Sequence, residues 1–314
     1  MDPFLSLIRL LRPHATLWGG LEGAGSWGVS FEQRDDLLFC WIERGMAYLV
    51  RPNAEPIVLQ TNDFVLIRTV SPFALVSAPD AATEASDALV AASQDTRFRV
   101  GQRTGAEVVL HGGRFVFDTA NEDLLAGLMP SLVHVPAGDT SSARIRALLQ
   151  MNQGESSAPM PGQQFVVERL MELILVEVLR GTGASPQNGG TGLLAGLADP
   201  ITRRALSAMH ADIVHDWTVE QLARLCAVSR SGFANRFRAV MGMGPITYLL
   251  RWRIALAKDH LRTGILSVGE IAFRVGFQST SAFSTAFSRT TGLSPTTFAD
   301  RVRASDHRAA GQPR

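Results

Sequence analysis

Asn235 and Arg238 lie three residues apart and carry the chemistry that reads a base pair. The amide of Asn235 can donate to and accept from adenine at once, and the Arg238 guanidinium can pair with guanine or with phosphate. Taking Phe233 and Phe237 as the buried edge of a helix of about 3.6 residues per turn places Ser231, Asn235 and Arg238 on the opposite face. The same construction from Phe283 and Phe287 places Ser281, Thr285 and Ser288 outward. These are short hydroxyls, suited to phosphate contacts, single hydrogen bonds or thymine methyls. Arg230 and Arg289 add a cation to each stretch. The plainer reading, two solvated helix faces, expects none of these side chains to affect sequence preference.

The elements that must hold them form an internal repeat. Val219, Leu222 and Ala223 recur as Val268, Ile271 and Ala272 at an offset of 49 residues. Phe233, Phe237, Gly242, Pro245 and Tyr248 recur as Phe283, Phe287, Gly292, Pro295 and Phe298 at an offset of 50. The one-residue change falls where a turn absorbs it. Each copy reads as a short helix with Thr218 or Ser267 at its N-cap, a turn through Ala227-Val228-Ser229 or Gly276-Phe277-Gln278, and a second helix stopped by glycine. This is a helix-turn-helix pattern. Pro245 to about Thr263 reads as one connecting helix, roughly 28 Å long at about 1.5 Å per residue. That compares with the ~34 Å between successive major-groove faces, so one chain can reach two of them.

Charge agrees with this division. Residues 1–199 hold 14 Arg and 22 acidic residues, a net of −8, whereas residues 200–314 hold 15 Arg, one Lys and 7 acidic residues, a net of +9. The basic part points to a polyanion, with a phosphate backbone as the usual candidate. A chain of 314 residues with 46% hydrophobic content suffices for two cores. The first 140 residues read as β-rich, with apolar runs at Leu37–Ile42, Ala47–Val50, Phe64–Ile67 and Glu107–Leu110 between turn signals. Ala81 to Ser93 reads as an exposed loop or weak helix. From Ser141 the pattern is helical, and Phe165 to Arg180 is apolar on most of its circumference, which favours a subunit interface over packing in its own subunit. Gly181 to Gly192 reads as a flexible linker.

From Trp217 to Arg303 the chain closely resembles the AraC/XylS transcription regulators, on Ile271-Ala272, Val275-Gly276-Phe277, Gly292 to Pro295 and Phe298. The resemblance implies that Ala234, Thr280 and Ser284 also approach the groove. The N-terminal half more weakly resembles the cupin-type sensor domain of one branch of that family, on Gly25-Ser26-Trp27, Asp63 to Ile67 and His111 to Asp118. Relatives often carry cysteine before the glycine that follows His111, so a redox mechanism resting on that cysteine does not transfer.

The alternative is a metal-dependent cupin enzyme fused to a DNA-binding domain. Such enzymes hold metal through a His-x-His pair, a carboxylate and a later histidine, and none of His14, His111, His134, His210, His215, His260 and His307 forms that pair, although His111 and His134 could meet in space. Cys40 and Cys226 are too few for a disulfide framework, fit a reducing cytoplasm, and read as buried small hydrophobes. Trp18, Trp27 and Trp41 suit either an effector pocket or a core. A DNA-architectural protein would leave the acidic β-rich half idle.

The sequence thus predicts an α+β multidomain regulator. A cupin-like β-sandwich or barrel takes residues 1–140, a helical interface and linker 141–198, an all-α double helix-turn-helix domain 199–305, and a tail 306–314. No enzyme activity, metal or cofactor is expected. The expected partners are promoter DNA and a second copy of the chain, in the cytoplasm and without a membrane span. The organisation also admits RNA polymerase and a small-molecule or redox effector.

Overall fold

The computed structural model describes residues 2–34, 36–92, 97–102, 105–117, 131–156, 160–182 and 191–310. They fall into two compact units, one drawn from Pro13–Val116 and Pro130–Gly190, the other from Met1–Arg12 and Thr191–Arg314.

The chain opens with α1 (Pro3–Leu11), whose first turn is capped by the Asp2 carboxylate accepting from the Phe4 N–H at 2.9 Å. Its apolar face of Leu7, Ile8, Leu10 and Leu11 is buried in the C-terminal unit, described below.

The β-rich unit contains β1 (His14–Ala24), β2 (Gly28–Phe31), β3 (Leu37–Arg44), β4 (Met46–Val50), β5 (Ile57–Gln60), β6 (Phe64–Arg68), β7 (Phe73–Val76), β8 (Glu84–Ala85), α2 (Ser86–Ala92), β9 (Arg97–Gly101), β10 (Val108–Val116), β11 (Leu132–Val135), α3 (Thr140–Ser156) and α4 (Gln163–Thr182). Among the described residues one sheet runs β11-β6-β3-β10-β1-β9 and the other β5-β4-β7-β2-β8, antiparallel except at β1/β9 and β2/β8. The turn signals mark real turns. Asn53 and Asn62 sit in the left-handed region at φ 55° and 74°. Gly45 holds φ 87°, and a Cβ there would come within 2.3 Å of the Glu107 carbonyl oxygen.

Alternation along β3 sorts the two faces of the larger sheet. Leu38, Cys40 and Ile42 point into the core shared with the smaller sheet. Phe39 points the other way, with Phe64 and Phe115 at ring-centroid distances of 6.0 and 4.8 Å. On the larger sheet α4 lies against β1 and β11, and buries Leu170, Met171, Ile174, Leu175, Val178 and Leu179 within its own unit. The expectation that this apolar circumference goes to a subunit interface is corrected for those six positions, because α3 and the sheet already cover them. Phe165 and Leu173 remain exposed, at 66% and 50%. The Glu177 carboxylate joins the two helices, accepting from Arg144 on α3 at 2.5 Å and from Arg180 at 2.9 Å. Most of the expected linker, 183–190, lies outside the described residues.

The other unit is helical: α5 (Leu193–Ala198), α6 (Pro200–Ala211), α7 (Val219–Leu225), α8 (Arg230–Met241), α9 (Pro245–Thr263), α10 (Val268–Arg274), α11 (Thr280–Thr291) and α12 (Pro295–Ala310). Both short helices carry full capping boxes, Thr218 with Gln221 and Ser267 with Glu270, which is why seven residues suffice to hold each one. In this unit α1 packs against α5, α6 and α9, and Arg12 pairs with Asp259 at 2.9 Å.

Candidate nucleic-acid interface

α8 and α11 are fixed from beneath by aromatic side chains. Phe233 and Phe237 stand 5.7 Å apart between ring centroids, and Phe283 and Phe287 5.5 Å; all four are fully buried. Ser229 and Ser279 cap the two helices by accepting from the N–H of Gly232 and Ala282, both at 3.2 Å. Gly242 and Gly292 end them in the left-handed conformation at φ 73° and 75°.

With the buried edges so fixed, the opposite faces emerge. Arg230, Ser231, Asn235 and Arg238 on α8 are exposed, as are Thr280, Ser281, Thr285 and Arg289 on α11. Ala234 and Ser284 are half-buried at the flanks. Ser288, placed outward by the helical construction, is also half-buried, in the last turn of α11.

Three features of the site escape a reading by spacing. Arg236 is exposed, yet its Nε and Nη2 both donate to one oxygen of Asp199, at 2.8 and 2.5 Å. That carboxylate also caps α6 by accepting from the Thr202 N–H at 2.8 Å, and the Arg236 bond, chiefly, holds it down to about 2. Arg236 therefore locks α8 to the start of α6. Arg253, buried on α9, donates to the carbonyls of Ile213, Val214 and His215 at 2.9, 3.3 and 2.8 Å. A Cβ on Gly276, in the turn of the second unit, would lie 2.8 Å from the Arg253 Nη2, so one guanidinium braces both units. The third is His210, whose Nε2 meets the Tyr248 hydroxyl at 2.8 Å while its ring packs on Trp252. Burial, chiefly, lowers this imidazole to about 4.

α9 serves both copies. Tyr248 meets Phe237 edge-on, whereas Ile254, Ala257 and Leu261 join the core of the second unit.

In the β-rich unit, His111 stacks on Trp41 and contacts Glu43, while the His134 Nε2 donates to Asp63 at 2.9 Å. The two histidines thus have separate carboxylate partners. Among the described residues no three His, Cys, Asp or Glu side chains gather as a metal site. Trp27 belongs to the core between the sheets, and neither it nor Trp41 lines the cavity there. The Trp18 side chain lies outside the described residues.

A family model described as Cupin matches residues 2–183, and one described as Helix-turn-helix domain matches residues 222–301. A putative AraC-like transcription regulator of Streptomyces antibioticus is 39% identical over 94% of this chain and 97% of its own length. Another, of Streptomyces lividans, is 38% identical over the same shares. A crystal structure of the DNA-binding domain of AdpA, a global transcriptional factor, in complex with a target DNA is 33% identical over 34% of this chain and 96% of that one, with a TM-score of 0.32.

Proposed function

Because the chain belongs to the AraC-like transcription regulators, DNA-binding proteins with a cupin ligand-binding domain and not enzymes, we propose that it reads its operator chiefly through α8. One observation carries this reading: two helices on matching scaffolds present unequal chemistry. Asn235 and Arg238 offer bidentate donors and acceptors to base edges, while Thr280, Ser281, Ser284 and Thr285 offer hydroxyls that suit phosphates and thymine methyls. Arg230, Ser231 and Ala234 border the readout face of α8, and Arg289 supplies a phosphate contact at the end of α11.

The rest of the assembly follows from what is exposed. Phe165 and Leu173 on α4 are apolar positions that the sheet leaves uncovered, and they form the contact of a homodimer. Such a dimer places four recognition helices on DNA and leaves the cupin unit to respond to a small molecule. The thiol of Cys40, pushed up to about 12 by burial, argues against a redox signal at that residue. The protein works in the cytoplasm, where RNA polymerase is the natural further partner; among the described residues no helix is long and apolar enough to cross a membrane.

The test is site selection from a random DNA pool. Asn235→Ala is expected to cost about 1–3 kcal/mol at the cognate site and to relax preference at one base pair. Thr285→Ala is expected to weaken binding less and more evenly across sequences. A larger loss of specificity in the Thr285 variant reverses the assignment.

A further inference from the structure

Between the two sheets lies a cavity of about 260 Å³, the space of roughly nine water molecules at ~30 Å³ each. The space is partly open at its charged edge, and packed interiors rarely leave gaps much larger than one water, so it is a pocket that a guest can enter. It falls just below the ~300–1,000 Å³ of common ligand pockets, which sets the guest as a small one.

Its wall is hydrocarbon. Val29, Leu38, Val65, Ile67, Leu75 and Leu110 line it, all of them core residues with little exposure elsewhere. Of the four uncharged polar side chains that line it, Thr16 is exposed and Ser86 stands at the start of α2, and the other two have nothing to give. Thr69 accepts from the Asp36 N–H at 2.8 Å and donates to the Asp36 carbonyl at 3.3 Å, which occupies its hydroxyl. Cys40 faces the space as a neutral thiol, a weak donor only. The charged residues that line the cavity, Glu32, Arg34, Asp36, Asp87 and Arg114, come from the stretch after β2, from α2 and from the end of β10, and Arg34 is already paired with Asp87 of α2. A charged or strongly polar guest would lose its water there without a buried partner to replace it.

We propose that this cavity is a receptor for a small, uncharged, apolar molecule, with the Arg34–Asp87 pair closing the space behind it. The proposal rests on the reading of this unit as the sensor of the regulator, and it adds the chemical class of the ligand.

A matched pair of fluorescent probes tests it on the full-length protein: neutral N-phenyl-1-naphthylamine and its anionic 8-sulfonate. The neutral probe is expected to bind one per chain, at least tenfold more tightly than the sulfonate, and to move the methyl resonances of Val65, Leu75 and Leu110. Ile67→Trp, which fills the space, is expected to abolish that binding while operator binding persists. Should that variant fail to fold, the methyl shifts in the wild-type protein still locate the probe. Equal or tighter binding of the sulfonate at those methyls overturns the ligand class and leaves the sensor reading intact. Binding of neither probe, or shifts confined to α4, overturns the receptor itself. Neutral binding in the cavity with no change in operator affinity supports the receptor and removes the sensor reading.

Discussion

In the first helix-turn-helix unit Phe237 meets Tyr248 edge-on at 6.1 Å between ring centroids; in the second, Phe287 meets Phe298 the same way at 5.5 Å. Corresponding turns both pass through the left-handed region, at Ala227 (φ 57°) in one and Gly276 (φ 90°) in the other. The first copy keeps that turn although alanine strains there by about 1 kcal/mol, so the turn geometry outranks local comfort. Around these shared parts, whatever points outward or sideways has diverged. Asn235 and Arg238 face Thr285 and a half-buried Ser288 as counterparts, and Tyr248 brings a hydroxyl and a histidine into a place where Phe298 has only a ring. Duplication has preserved the frame and released the contacts.

The strongest test of the shared frame is to remove it twice. Phe237→Ala and Phe287→Ala each delete a fully buried ring and are each expected to cost about 3–5 kcal/mol. Amide hydrogen exchange in the full chain, read separately over α7–α8 and α10–α11, checks that each loss stays in its own copy and that the two are of similar size. Loss of protection in both copies from either substitution would mean that the units fold as one.

A second test separates the copies by pH. In the unfolded chain His210 takes up a proton near 6.5, whereas burial lowers that point to about 4 in the folded protein. Its contribution to stability is therefore complete above pH 6.5 and is lost as pH falls from there toward 4, by up to about 3 kcal/mol. The second copy has Phe298 in place of Tyr248; its nearest counterpart is His260, lowered in the same direction chiefly by burial but less deeply placed, so a smaller loss is expected there. Exchange protection followed from pH 7 to 4 reports it, and His210→Gln is expected to flatten the response of the first copy. An unchanged profile in that variant would assign the pH effect to another group.

The smallest difference lies in the caps. Thr218→Ala is expected to cost the first unit about 1 kcal/mol through loss of its capping box. The second box depends on a carboxylate: Glu270 accepts from the Ser267 N–H and hydroxyl at 2.8 and 2.7 Å, and these bonds lower its pKa. Acid below the ordinary carboxylate range should weaken the Glu270 arm of the second box, while the Ser267 hydroxyl keeps its backbone bond and the first box is unchanged, since Gln221 does not titrate. The chemical shifts of the two N-cap amides decide it.

These contrasts also show what could be read from the chain alone. The repeat was legible because burial imposes aromatic spacing within twelve residues, and the caps were legible because they span four. The outward face of α8 followed from the same periodicity. Ser288 did not, since periodicity describes an isolated helix and Ser288 is half-buried in the folded unit. Spacing carries no sign of the role of Arg236, because its partner, Asp199, lies 37 residues away. For α4 the hydrophobic pattern was right and its destination was not: periodicity says that a face is buried, never against what. The cavity left no trace either, because residues that line a space have the same composition as residues that fill one.

The docking of α1 has a consequence in time. Its apolar face is made early, whereas the surfaces that receive it, on α5, α6 and α9, come up to about 250 residues later, since Arg12 pairs with Asp259. At ~5–20 residues per second that delay is roughly 12–50 s, long compared with the microseconds a helix needs to form. Until those helices are made, Leu7, Leu10 and Leu11 lack the surfaces of α5, α6 and α9 against which α1 packs in the finished unit. The C-terminal unit is thus completed by a segment made ahead of the whole β-rich unit.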